Sequence, residues 1–138
     1  MKTTRFGVSM DDELLARLDL HVKSKKYPNR SEAIRDLVRG AIVEEEWGTT
    51  KGEVIGVLVI VYDHHQRELS SRLLEKEHVH PGQIVTTLHL HLDHDNCLEA
   101  KVIRGRPGAV RLIADELMAM KGVKYGRLIP ATAGKRLR

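Results

Sequence analysis

His89-Leu90-His91-Leu92-Asp93-His94-Asp95-Asn96-Cys97 is the stretch on which the reading of this chain turns. Leu88, Leu90 and Leu92 alternate with His89, His91 and Asp93, the period of a strand with one apolar and one polar face. Neighbours on one face of a strand lie about 6.5–7 Å apart, so two imidazoles can converge on one ion. Beyond a turn, Cys97-Leu98-Glu99-Ala100-Lys101-Val102 alternates again. If Leu98, Ala100 and Val102 share the core face with the leucines, Cys97 falls on the histidine face, and that parity requires an odd hairpin loop. A loop of His94 to Asn96 would pair Asp93 with Cys97 and set Cys97 diagonal to His91. The hydrophobic pattern thus gathers two imidazoles and the only thiol of the chain, a metal site in outline.

The chain has 138 residues, room for one domain or two very small ones. Hydrophobic residues make up 41% and charged residues 30%, as in a soluble globular protein, while 4% aromatics leave the core to aliphatic side chains. No apolar run approaches the ~20 residues that span a bilayer, and the N-terminus lacks a signal peptide's apolar segment, so a cytoplasmic protein without membrane contact is expected. A single cysteine permits no internal disulfide, in keeping with a reducing compartment. The formal net charge is +4. Residues 1–47 carry nine basic and nine acidic side chains, but without the run Glu44-Glu45-Glu46 the first 43 residues come to +3, and Lys135, Arg136 and Arg138 add +3 at the other end. That basicity permits a nucleic-acid partner without establishing one.

Residues 4–10 place Phe6, Val8 and Met10 on one face and Arg5, Gly7 and Ser9 on the other, a short strand. Asp11 and Asp12 suit the first turn of a helix carrying Leu14, Leu15, Leu18 and Val22, which Tyr27-Pro28 breaks. Asn29-Arg30-Ser31-Glu32 has the form of a capping box, with Asn29 as cap and Glu32 reaching back. Ala33, Ile34, Leu37, Val38, Ala41 and Ile42 then form one stripe. A strand and two helices of this size cannot bury enough surface alone. Two copies can, by pairing their strands as an antiparallel ribbon over four helices. This is the ribbon-helix-helix arrangement, whose ribbon fits the DNA major groove with Arg5, Gly7 and Ser9 toward the bases.

The reading divides the chain into a DNA-binding domain over 1–47, a glycine-containing linker over 48–53, a regulatory domain over 54–130 and a frayed basic tail over 131–138. Val54 to Tyr62 reads as a buried central strand, and 65–77 as a helix with Leu69, Leu73 and Leu74 as its apolar face. The hairpin strands follow near 83–92 and 97–104, then a helix from Pro107 to Met120 and a strand from Val123 to Ile129. The order β-α-β-β-α-β is a ferredoxin-like, split βαβ unit: an antiparallel sheet with both helices on one face. The other face, carrying His89, His91 and Cys97, is left for another subunit. The fold class is therefore α+β.

His78, then His89-x-His91, then Cys97, with Asn29 to Asp36 and Tyr62-Asp63-His64 at matching separations, resembles the nickel-responsive transcriptional regulators of bacteria and archaea, the NikR-like family. The resemblance covers nearly the whole chain. It implies a homotetramer in which two ribbon-helix-helix dimers flank a core of regulatory domains with the ACT-like amino-acid-sensor fold. It implies about one Ni(2+) per chain at the core interface, bound by His89, His91 and Cys97 of one subunit and His78 of another, with Glu99 and Tyr62 supporting the ligands. The metal-loaded protein would repress nickel-uptake genes by binding a double-stranded operator, with Asn29 and Arg67 adding to the ribbon's contacts. Residues matching Glu32 and Asp36 help bind a second, hard cation in the family. Gly7 and Gln66 depart from the family pattern at DNA-facing positions. His21, His64, His65 and His94 read as surface or capping histidines.

Thiolate and imidazole suit square-planar Ni(II), Zn(II) would take the same ligands tetrahedrally, and ligand type alone excludes neither zinc nor Cu(II). The alternatives are a regulator of this architecture that senses another metal or a small molecule, a zinc hydrolase, and a ribbon-helix-helix antitoxin. Four candidate ligands leave no open position for hydrolysis, and an antitoxin carries no folded β-α-β-β-α-β domain.

Overall fold

The computed structural model describes residues 2–66 and 69–137, without the side chains of Ser70 and Glu77. The chain forms two compact units, Met1–Ala41 and Ile42–Arg138.

In the first unit, helix α1 (Asp12–Ser24) begins where Asp11 accepts the Leu14 amide at 2.8 Å, satisfying one of the orphan donors of the first turn. Helix α2 (Arg30–Gly48) begins at Asn29, whose Oδ1 accepts the Glu32 amide at 3.0 Å. Glu32 does not reach back as a capping box requires; its carboxylate pairs with Arg35 instead. Arg30 crosses to Asp19 with bonds of 2.6 and 2.7 Å and ties the two helices together. Residues 2–10 show no hydrogen-bonded ladder, in contrast to the strand expected there. A strand acquires its ladder from a neighbour, and a ribbon takes that neighbour from a second copy. Phe6 is accordingly 75% exposed.

The second unit contains a four-stranded antiparallel sheet in the order β2-β3-β1-β4, built from β1 (Val54–Asp63), β2 (Ile84–His91), β3 (Asn96–Gly105) and β4 (Val123–Ala131). Helices α3 (Leu69–Val79) and α4 (Pro107–Met118) complete the β-α-β-β-α-β order. Asp63 Oδ1 accepts the His65 amide at 2.9 Å, so a turn occupies 64–66 where a helix was expected, and α3 begins at Leu69. Leu69 and Leu73 are buried but Leu74 is exposed.

Three expectations need correction. Both helices cover the histidine face of the sheet, not the leucine face. Leu69, Leu73, Val110, Ile113 and Leu117 pack with Leu58, Ile60, Tyr62, Cys97 and Ile103. Leu88 is 66% exposed, and Leu90 and Leu92 are exposed beside it. Second, Trp47 does not close the DNA-binding domain. It ends α2 at 2% exposure inside the regulatory core, its Nε1 donating to the Ala131 carbonyl at 2.9 Å, and the division between units falls near residue 41. Third, the tail is not frayed. Thr132 donates to Glu46 at 2.9 Å, Arg136 pairs with Glu45 at 3.7 Å, and β4 runs through Pro130, which an edge strand tolerates.

Among the described residues no helix is long and apolar enough to cross a membrane. Gly56 on β1 marks a tightly packed point of the core: a Cβ there would stand 2.9 Å from Leu128 Cδ1, 3.0 Å from the Trp47 ring and 3.1 Å from Val110 Cγ1. Gly56→Ala should therefore destabilise the regulatory unit by about 1–3 kcal/mol, the usual cost of overpacking. Chemical denaturation followed by Trp47 fluorescence measures this, and an unchanged midpoint would mean that the core yields at this position.

Candidate metal centre

The hairpin places the candidate ligands, through a register that differs from the expected one. Asp93 Oδ1 accepts the amides of Asp95 and Asn96 at 2.8 and 2.9 Å, and the Leu92 amide donates to the Asn96 carbonyl at 2.9 Å. This carboxylate-nucleated turn closes the hairpin one residue earlier on each strand, so His91 rather than Asp93 stands opposite Cys97. The parity is unchanged, and the polar face keeps its members. The Asn96 side chain, then the Asp95 and Asn96 amides, hold the Asp93 carboxyl below its ordinary range.

Cys97 is fully buried, and its Sγ lies 3.2 Å from Nδ1 of His91. Metal bonds of about 2.0 Å to nitrogen and 2.3 Å to sulfur, at a right angle, separate two donors by about 3.0 Å. The pair is thus spaced to share one ion. His89 stands beside His91, ring centroids 4.9 Å apart, with its Nδ1 3.3 Å from the Tyr62 hydroxyl and 3.5 Å from Glu99 Oε1. Tyr62 and Glu99 therefore lie against the inner nitrogen of His89, the arrangement that orients an imidazole toward a metal through its other nitrogen.

His64, read from sequence as a surface histidine, is brought to this group. His64, His91 and Cys97 offer donor atoms within 4.8 Å of one another, and His64 Nδ1 is buried without a hydrogen-bond partner among the described residues. The cause is the register between β1 and β3, which pairs Tyr62 with Cys97 and Asp63 with Asn96, and the His64 amide then donates to the Asp95 carbonyl at 3.0 Å. The period of β1 carries the face from Ile60 through Tyr62 to residue 64, so the signal was available once that register was known. His78 lies exposed in the last turn of α3 and belongs to no ligand cluster of the described residues within the chain. His65, His94 and Asp95 form a second, fully exposed group.

The remaining candidates, Arg67 apart, lie in the first unit. Arg5, Gly7, Ser9 and Asn29 are exposed, and Asn29 is engaged as the α2 cap. Arg67 lies outside the described residues. Glu32 and Asp36 do not meet: Glu32 pairs with Arg35, and Asp36 accepts from the Tyr27 hydroxyl, whose ionisation that bond opposes.

Burial pushes the Cys97 thiol up, and the negative charges of Glu99 and Asp93 push it further. A soft cation bound through sulfur must displace that proton. Because the thiol is protonated at neutral pH, affinity for such a cation should rise about tenfold per pH unit until the thiol's own range is reached. Chelator competition between pH 6 and 8 checks this, and a flat profile would exclude sulfur as a donor.

Comparison with known proteins accords with this geometry. Residues 55–131 match the family model described as the NikR C-terminal nickel-binding domain, and residues 4–45 match the ribbon-helix-helix, copG-family model. A relative from Geobacter sp. (strain M21) is 52% identical over 99% of this chain and 98% of its own length. Others from Geobacter metallireducens and Thermococcus onnurineus are 49% and 47% identical, each over 99% of this chain, and over 98% and 99% of their own lengths. All three are provisionally named nickel-responsive regulators. A solved structure of an uncharacterized protein from Thermotoga maritima is similar in fold alone, with a TM-score of 0.52 and 13% identity, covering 59% of this chain and all of that one. The chain belongs to the NikR-like family of DNA-binding regulators, a ribbon-helix-helix unit joined to a nickel-binding regulatory unit, and is not an enzyme.

Proposed function

We propose that this protein is a nickel-dependent repressor of nickel-uptake genes, acting in the cytoplasm as a homotetramer. The observation that carries the reading is the 3.2 Å approach of a buried thiol to the His91 imidazole within a nickel-binding family domain. His89, His91 and Cys97 supply three donors from one hairpin, and His78 of a second subunit supplies the fourth. A nickel ion held by these residues would act as a cross-link rather than a reactant. His78 on α3 of one subunit and the hairpin donors of its neighbour would then be joined, one assembly would be stabilised over others, and that differential affinity would be the free energy available for switching.

Two surfaces support the oligomer. The leucine face of the sheet presents Leu88, Leu90, Leu92, Tyr125 and Ile129, all half or nearly half exposed. The first unit leaves a groove of about 820 Å³ lined by Phe6, Val8, Met10, Leu15, Leu18 and Ile34, among others, and α1 buries no residue. A second copy of the strand and helices fills such a groove in a ribbon-helix-helix dimer. Arg5 and Ser9 then face the bases, with Asn29 toward the backbone. Glu32 and Asp36 could receive a hard cation only by exchanging their present partners, Arg35 and Tyr27.

A second reading rests on His64, whose buried nitrogen has no hydrogen-bond partner among the described residues and would make it a fourth donor from the same chain. Mutants separate the two. On the first reading the protein takes up about one Ni(II) per chain with a thiolate-to-nickel absorption band, lost in Cys97→Ala and retained in His64→Ala. Mixed tetramers of His78→Ala and Cys97→Ala chains should regain a native-like band, because one cross-interface site is then complete. Loss of the band in His64→Ala, and none regained in tetramers shown to be mixed, would move the fourth ligand into the chain. Arg5→Ala should weaken operator binding without altering nickel stoichiometry; unchanged operator affinity would count against the ribbon.

A further inference from the structure

Lys101 occupies the middle of β3, between Leu58 on β1 and Thr87 on β2, and its side chain is fully buried. An ammonium withdrawn from water persists only where charge and hydrogen bonds replace its hydration. Its Nζ stands 3.4 Å from Thr87 Oγ1 and 3.7 Å from Glu99 Oε1. The same Glu99 oxygen stands 3.5 Å from Nδ1 of His89. Glu99 is only 12% exposed, and its second oxygen is buried without a hydrogen-bond partner among the described residues. Its place therefore depends on the cation beside it more than on a full set of donors. His89, at 40% exposed, has room to turn once Glu99 withdraws and only the Tyr62 hydroxyl, 3.3 Å away, remains at its inner nitrogen.

We propose that Lys101 is a positioning residue for the metal centre. Its buried ammonium holds the Glu99 carboxylate against His89, so that His89 keeps its proton on Nδ1 and presents Nε2 outward. This rests on the reading of His89 as a ligand. Cys97, Glu99 and Lys101 share one sheet face at two-residue spacing, so the thiol donor, the orienting acid and the cation that fixes the acid come from a single strand.

The test is a double-mutant cycle on the full-length protein with two readouts. Lys101→Met fills the same space without charge and should weaken Ni(II) binding, measured by chelator competition, by tenfold or more. In a Glu99→Gln background the same substitution should cost less than twofold, because Lys101 acts through Glu99. Equal losses in both backgrounds, or no loss in either, would overturn the inference. The second readout needs no metal. In ¹⁵N-histidine-labelled, metal-free protein, His89 (assigned by its loss in His89→Gln) should show the Nδ1–H tautomer, and Lys101→Met should convert it to a mixture. An unchanged His89 signal in a variant that still unfolds cooperatively would refute the positioning role. Should Lys101→Met fail to fold, Lys101→Gln removes the charge while keeping a donor for Thr87, and it is judged by the same two outcomes. If the wild-type protein takes up no nickel, the nickel reading fails, and the tautomer measurement still decides the link from Lys101 to His89.

Discussion

The pairing of β3 with both of its neighbours at Cys97 is the constraint on which the rest of the regulatory unit depends. Cys97 stands opposite Tyr62 on β1 and His91 on β2, so one residue fixes two registers at once. Side chains at paired positions share a face, and Tyr62, Cys97 and His91 therefore form one row across the sheet. His64 arrives at the end of that row, His89 and Glu99 form the next row, and Lys101 and Thr87 the row after. A slip of one residue in either ladder would reverse the faces of a whole strand. The turn at Asp93 protects the hairpin register with bonds to two amides and to the Asn96 side chain.

The helices then decide what each face can do. By covering the histidine side they bury Cys97 and raise its thiol, while His89 and His91 remain accessible on the edge strand β2. A donor set that is half buried and half open suits a cation entering from a neighbouring surface, since the buried half stays fixed and the open half can still be joined by a further ligand. The leucine side is left bare. An apolar area of that kind is costly in water and is ordinarily covered by protein. The two faces of one sheet thus differ in kind: one gathers imidazoles beside a buried thiol, and the other presents exposed leucines.

At the other end of the unit, Trp47 closes the core over Gly56, with Arg111 stacked 5.4 Å from its ring, and the C-terminal segment is fastened to the same end of α2. The last turns of α2 thereby belong to the regulatory unit. The helix that begins as the DNA-binding unit's second element ends as part of the core that responds to metal.

Read alone, the sequence determined the helices of the first unit and the order of elements in the second, because alternation, helical stripes and cap residues are local and repeat within a few residues. It also determined that His89, His91 and Cys97 share a face, since that follows from period and parity. Four features were decided only by the tertiary structure. Which face the helices cover could not be read, because β1 is apolar on both sides and either could serve as core. His64 joined the cluster through the β1–β3 register, a pairing between segments more than thirty residues apart that no local pattern encodes. Trp47 reads as the end of the first domain and residues 131–138 as fray because the bonds that fasten them, Trp47 to Ala131 and Thr132 to Glu46, join segments distant in sequence. Burial of Lys101 belongs with these: the same alternation that marks it polar says nothing of whether a helix lies above it, and only the packed layers remove that side chain from water.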